Sequence, residues 1–208
     1  MRRILLTLSF IASAGSASAQ TETAIFAGGC FWCVESDFQD LDGVIEATSG
    51  LTGGSKANPS YRSYGDHREA VRIEFDPSIV TYEELVDGFF RSIDPTDDGG
   101  QFCDRGFTYT TAIYTTSDEQ LRIADRIKSK FDNSGVLPAP IVTEIAAAST
   151  FYDVSDYHQD YYKSDDVILT RFGPLTKAKA YKKYRNACGR DATTQKLWGD
   201  AAFVAAGL

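Results

Sequence analysis

Apolar positions recur along the chain at two spacings, and the switches between them mark the elements. Thr23-Ala24-Ile25-Phe26 has strand character and runs into a break at Gly28-Gly29. Phe31, Val34, Phe38 and Leu41 then follow helical spacing until Gly43, which puts Cys30 in the first turn of a helix. Val44 to Thr48 reads as a second strand, and the Gly-, Asn- and Pro-rich stretch 50–60 as a loop ending on Tyr61. From Glu69 to Phe75 the period is two: Glu69, Val71, Ile73 and Phe75 share one face, while Arg72 and Glu74 take the other. Thr81 and Glu84 make a capping box that opens a helix burying Leu85, Phe89 and Phe90, and Pro95 follows its end. Residues 107–115 read as a strand. Ser117 and Gln120 open another helix, with Leu121, Ala124, Ile127 and Phe131 as its buried stripe and Gly135 near its end. Ile141 to Ala146 is a further strand, followed by a Tyr-rich stretch and a polar C-terminal tail over about 163–208.

This order of strands and helices predicts an α+β fold, a two-layer sandwich with a ferredoxin-like mixed sheet at its core. One domain over residues 20–208 accommodates it. The first nineteen residues are set apart. Arg2 and Arg3, the apolar run Ile4 to Ala12 and the small residues Ala17-Ser18-Ala19 have the pattern of a secretory signal peptide. The expected mature chain starts at Gln20 and belongs to an exported protein, periplasmic or secreted, with no membrane attachment after cleavage.

Composition narrows the function. The 208 residues carry 21 basic and 29 acidic side chains, a net charge of −8, and removing Arg2 and Arg3 takes the mature chain to −10. No basic block interrupts that acidity, which argues against nucleic-acid binding. The two histidines, His67 and His158, are too far apart for a helical zinc-protease pair. No G-x-G-x-x-G unit is present to hold a nicotinamide or flavin, and the chain is expected to work without a cofactor. Four cysteines, Cys30, Cys33, Cys103 and Cys188, all remain after export, in a compartment that permits disulfides.

Cys30 is the first candidate for chemistry. A thiol at a helix start faces unpaired backbone N–H groups and the positive end of the helix dipole, both of which favour the thiolate. The bland alternative is a framework cysteine. Cys33 completes a C-x-x-C, weak as a motif alone but compatible with disulfide exchange. Glu69 begins on the apolar face of its strand, so it is either solvated at a frayed end or desolvated and kept protonated as a general acid. Tyr61, Tyr109, Tyr161, Tyr162 and His158 lie in or beside loop-like sequence, and composition does not choose among them.

Several motifs in register do choose. Gly29-Cys30-Phe31-Trp32 with Glu35, Asn58-Pro59-Ser60-Tyr61, His67-Arg68-Glu69-Ala70-Val71-Arg72, Asp94-Pro95-Thr96, Asp104-Arg105-Gly106 with Tyr109, and Tyr157-His158-Gln159-Asp160-Tyr161 resemble the peptide methionine sulfoxide reductase A family in order and approximate spacing over residues 23–162. The resemblance implies Cys30 as nucleophile, Glu69 as acid, Tyr61 and Tyr109 as hydrogen-bonding hydroxyls, and Asp104 as a pocket carboxylate. Phe31 and Trp32 would hold the substrate methyl group, with His158 and Tyr161 lining the pocket. It further implies action on the S epimer, a sulfenic acid on Cys30, a monomer, and a thioredoxin-like dithiol as reductant. Two positions depart from the family: Cys33 stands where glycine is usual, and Cys103 where asparagine is usual. Cys188 would resolve the sulfenic acid from a mobile tail, with Cys33 and Cys103 as alternatives, giving the pairing Cys30–Cys188 and Cys33–Cys103. The rivals are a thiol-disulfide oxidoreductase using Cys30 and Cys33, and a disulfide-stapled binding module.

Overall fold

In this computed structural model residues 21–170 and 173–203 are described; the expected leader, residues 1–19, lies outside them. The elements follow in the order β1 (Glu22–Gly28), α1 (Phe31–Phe38), β2 (Val44–Thr52), β3 (Arg68–Phe75) and α2 (Tyr82–Arg91). A hairpin of β4 (Gly100–Gln101) and β5 (Asp104–Arg105) comes next, then a 3-10 turn (Phe107–Tyr109), β6 (Thr111–Thr115), α3 (Asp118–Asp132), β7 (Glu144–Ala147) and β8 (Tyr152–Asp153). The C-terminal part holds a hairpin, β9 (Val167–Thr170) with β10 (Gly173–Thr176), and two helices, α4 (Lys177–Cys188) and α5 (Arg190–Trp198). Among the described residues no helix is long and apolar enough to cross a membrane.

The fold is α+β. Its main sheet runs β7-β6-β1-β3-β2-β8, antiparallel throughout except for the parallel pair β6–β7. β1 sits near the middle and is buried on both faces. Ala24 and Phe26 join the large cluster containing Val34 and Phe38 of α1, Leu85 and Phe89 of α2, and Ile127 and Phe131 of α3. Phe26 stacks on Phe89 with ring centroids 4.7 Å apart. Ile25 and Ala27 point the other way, into a smaller cluster with Ala70, Ala112 and Tyr114. The capping box of α2 is present, with Thr81 Oγ1 accepting from the Glu84 N–H and Glu84 accepting from the Thr81 N–H.

Several sequence readings need correction. The 107–115 segment is extended only from Thr111; Tyr109 lies in the preceding 3-10 turn, which leaves its side chain off the sheet and free to face a cleft. Leu121 is exposed on α3, and Gln120 takes the inward slot instead. Its amide is satisfied there, donating to the Thr23 carbonyl at 2.8 Å and accepting from the Thr116 N–H at 3.0 Å. The polar tail is the largest difference, because α4 and α5 are packed helices. Lys177, Arg185 and Arg190, which mark the segment as polar in sequence, are buried. Arg185 and Arg190 both pair with Asp37 of α1, at 2.7 and 3.3 Å. Opposite charges on two segments cancel on burial, so a polar pattern here encodes contact rather than solvation. Replacing Arg190 by Met is therefore expected to cost about 3–5 kcal/mol, the usual penalty for breaking one partner of a buried ion pair. A thermal melt showing no fall in Tm would contradict this packing role.

Candidate active site

Cys30 is the N-cap residue of α1, immediately after the strand β1. Gly29 makes this junction possible: its φ is +85°, and a Cβ there would meet the Cβ of Gln101 at 2.6 Å. The Cys30 thiol makes no capping bond to the helix, so its sulfur is available for other partners. Residues N-cap and N3 of a helix face each other, and here N3 is Cys33. The two thiols share a hydrogen bond, and both are buried, Cys30 being 7% and Cys33 3% exposed.

The pair is electrostatically asymmetric. Cys33 is held below the usual thiol value by the hydrogen bond from Cys30, against burial, with further help from the charges of Arg190 and Arg185. Cys30 is pushed well up by burial, then by Cys33 and by the carboxylates of Glu69 and Asp104.

Glu69, on β3, is 2% exposed and faces α1. Its carboxylate accepts from the Phe31 N–H at 3.0 Å and from the Tyr64 hydroxyl at 2.9 Å. Burial pushes its pKa to about 7; these two hydrogen bonds oppose the shift, and nearby Asp104 adds to it. The frayed-end reading of Glu69 is thereby excluded. Tyr64 also hydrogen-bonds with Tyr61 and Tyr109, so three phenols and one carboxyl form a connected donor set. Burial, with the neighbouring Glu69 charge, raises the pKa of all three tyrosines and keeps them protonated.

Cys30, Phe31, Trp32, Tyr61, Glu69, Asp104 and Tyr109, together with Tyr184, line one cavity of about 110 Å³. His158 and Tyr161 stand behind its aromatic wall. Trp32 stacks on Tyr161 with centroids 3.8 Å apart, and His158 packs against Tyr61 at 4.0 Å and Phe31 at 5.6 Å. Burial and the positive charge of Lys177 depress the pKa of His158 and so favour its neutral form. Glu35 secures the loop that carries both residues: it accepts from Ser49 Oγ at 2.6 Å and from the Asp160 N–H at 2.5 Å. The cavity suits a small group with an apolar end and an electron-rich oxygen, placed against a sulfur nucleophile.

The remaining cysteines border the site: their sulfurs and a carboxylate oxygen of Asp104, a residue of the cavity lining, lie within 4.8 Å of one another. Cys103, in the turn between β4 and β5, is disulfide-bonded to Cys188 at the end of α4, with Cα atoms 4.9 Å apart. Cys30 and Cys33 are both free thiols. The pairing Cys30–Cys188 with Cys33–Cys103 is thus corrected. Cys188 belongs to a helix packed on the body, and the hairpin turn carrying Cys103 lies beside it.

Sequence reasoning missed Tyr64 and Tyr184. Tyr64 stands three positions after Tyr61 and five before Glu69, a spacing within one loop that could have suggested it. Tyr184 hydrogen-bonds to Asp104 across 80 positions, and no local pattern signals that contact.

The family described as peptide methionine sulfoxide reductase matches residues 22–200 of the chain. The chain is similar to peptide methionine sulfoxide reductase MsrA 2 of Rhizobium meliloti, with 49% identity over 189 residues, covering 90% of this chain and 88% of that one. It is 43% identical to the MsrA of Bacillus pumilus over 88% of this chain and 98% of the relative. Among solved structures it resembles methionine sulfoxide reductase A of Corynebacterium diphtheriae, with a TM-score of 0.60 and 32% identity over 68% of this chain and 73% of that one. It also resembles reduced Mxr1 of Saccharomyces cerevisiae, with a TM-score of 0.60 and 28% identity over 74% of this chain and 91% of that one.

Proposed function

The chain belongs to the peptide methionine sulfoxide reductase family, and from that premise we propose how its own residues reduce methionine S-sulfoxide in peptides by thiol chemistry. The observation that carries the reading is the single small cavity in which Cys30 faces Phe31, Trp32, Glu69, Tyr61 and Tyr109. The substrate methyl group lies against Phe31 and Trp32, where apolar contact favours it. The sulfoxide oxygen takes hydrogen bonds from the tyrosine hydroxyls and a proton from Glu69, whose pKa of about 7 keeps a large neutral fraction near neutrality. Cys30 attacks the sulfur as the S–O bond of the substrate breaks. Methionine leaves, and the oxygen stays on Cys30 as a sulfenic acid. A second thiol of the chain displaces that hydroxyl as water and forms an intramolecular disulfide. A thioredoxin-like dithiol then restores the thiols. Asp104, His158 and Tyr161 shape the pocket rather than react.

Disulfide exchange alone, the alternative for Cys30-x-x-Cys33, leaves Glu69, Tyr61 and Tyr109 without a role. We further infer that the chain, a single catalytic domain over residues 20–208 acting as a monomer, is exported; the Arg2-Arg3 pair, the apolar run and the Ala17-Ser18-Ala19 site support export. The strand order β6-β1-β3-β2, with α1 and α2 as the intervening helices, supports a ferredoxin-like two-layer core.

The test is a single turnover with fully reduced protein and no added dithiol. One equivalent of a peptide carrying methionine S-sulfoxide should yield one equivalent of methionine peptide, and the R epimer none. Equal reduction of both epimers, or of neither, would overturn the reading.

A further inference from the structure

The reaction cavity, at about 110 Å³, has room for the tip of one side chain, so the rest of a peptide must lie on the surface beside it. Two grooves share a wall residue with it. One, reached past Tyr184, is lined by Leu175, Ala180 and Ala187 next to the Cys103–Cys188 bridge. Backbone amides laid along those side chains would lose water without gaining partners. The other, reached past Tyr61, has a volume of about 710 Å³, and its lining includes Ser60, Arg62, Ser155, Tyr157 and His158. Its size is that of a ligand cleft, and its hydroxyls can pair with the N–H and C=O groups of an extended chain. Resting on the reductase reading above, we propose that this second groove seats the chain flanking the oxidised methionine. Arg62 there selects peptides that carry an acidic residue within two positions of it.

Continuity is the first support. Tyr61 lines both spaces and is 41% exposed; its ring packs on Phe31 at 6.2 Å and on His158 at 4.0 Å. A methionine whose methyl group meets Phe31 therefore leaves its backbone near Tyr61 and the next residue, Arg62. Consecutive Cα atoms are about 3.8 Å apart, and an extended peptide advances about 3.3–3.6 Å per residue. The first one or two flanking positions are thus the ones within reach of the guanidinium.

Charge is the second. Arg62 is exposed, and among the described residues no carboxylate pairs with it. Asp153, an acid of the same groove, is engaged by Arg72 at 3.0 Å. Lys56 adds positive charge close by, donating to the carbonyl of Ser63 at 3.0 Å. On the far side Lys177 lies 4.2 Å over the Tyr157 ring, its own charge paired with Asp166 at 2.9 Å. The uncompensated charge of the groove is therefore the guanidinium, whose fork matches a carboxylate. The whole chain carries −8, a field that by itself draws basic peptides. Selection by Arg62 runs against that field, which makes the two separable.

The experiment compares peptides with a central methionine S-sulfoxide flanked on both sides by Glu, Gln or Lys. Wild type, Arg62→Gln and Arg62→Glu are assayed in steady state with dithiothreitol as reductant. At low salt wild type should favour the Glu peptide over the Lys peptide by about fivefold in kcat/KM, the upper range for an exposed ion pair. The difference should lie in KM with kcat unchanged, and it should shrink toward unity in about 0.5 M salt. Arg62→Gln should abolish the preference and Arg62→Glu should invert it. All three proteins should reduce the Gln peptide equally, since Arg62 touches no reacting atom. Moving the glutamates to the far end of a longer peptide should also remove the preference. A wild type that favours the Lys peptide, or a Glu-to-Lys ratio equal in wild type and Arg62→Glu, would overturn the proposal. A ratio indifferent to Arg62 together with concentration-dependent dimerisation would give the groove to a second copy of the chain instead. Failure of wild type to reduce any peptide, the Gln one included, would sink the reductase reading itself.

Discussion

Replacing Cys30 by serine is expected to abolish methionine formation, a loss on the order of 10⁶-fold of the kind seen when an enzyme nucleophile is removed. A hydroxyl at the N-cap of α1 is compatible with the helix, since serine is a preferred residue there. The fold should persist, with a melting curve close to that of wild type. The position is specific because only this sulfur lines the cavity together with the carboxyl of Glu69. Single-turnover release of methionine peptide, read with circular dichroism on the same samples, checks the claim. Persistent turnover by a folded Cys30→Ser protein would move the nucleophile elsewhere.

Glu69→Gln should lower the single-turnover rate by about 10²–10⁴-fold, the usual contribution of a positioned general acid. The amide oxygen can still accept from the Phe31 N–H while its NH2 donates to the Tyr64 hydroxyl, but it has no carboxyl proton to give. In wild type the acid is present below a pKa of about 7, so the rate should fall as pH rises through 7. That limb should vanish in the variant. Wild-type stability should fall with pH as well, over a lower range. Between the ordinary value of 4.5 and about 7 the folded protein binds a proton that the unfolded chain has lost. Folding stability therefore falls as pH rises through this window, by about 3 kcal/mol in total. Glu69→Gln removes this penalty, and its Tm should exceed that of wild type above pH 7. A variant both slower and less stable at pH 8 would show Glu69 to be a scaffold residue rather than an acid held neutral by burial.

Much of the catalytic half was legible from local pattern. Cys30 after two glycines at a helix start, and Glu69 leading the apolar face of a strand, are local statements. A C-cap, an N-cap or a two-residue period needs only neighbouring side chains to be recognised. The α2 capping box was legible for the same reason, as was the helix over 118–132. Leu121 and Gln120 exchanged places because one buried amide can satisfy both of its hydrogen-bonding ends on β1 and the chain before α3. An apolar stripe does not reveal that alternative.

What lay outside local pattern was long in sequence separation. Arg190 contacts Gly28 across 162 positions, and Cys103 joins Cys188 across 85. Charged residues of the C-terminal segment read as a solvated tail until their counter-charge, Asp37 on α1, is found on a different element.

By itself, then, the amino-acid sequence determined the α+β pattern, the placement of Cys30 at a helix start and the place of Glu69 at the head of the apolar face of its strand. These depend on periodicity and on residues adjacent in the chain. Tertiary structure decided which thiols are partners, that Tyr64 joins the donor set, and that α4 and α5 are held against α1. Those outcomes depend on which desolvated charges and sulfurs are brought within a few ångströms of each other, and only the closed fold supplies that distance.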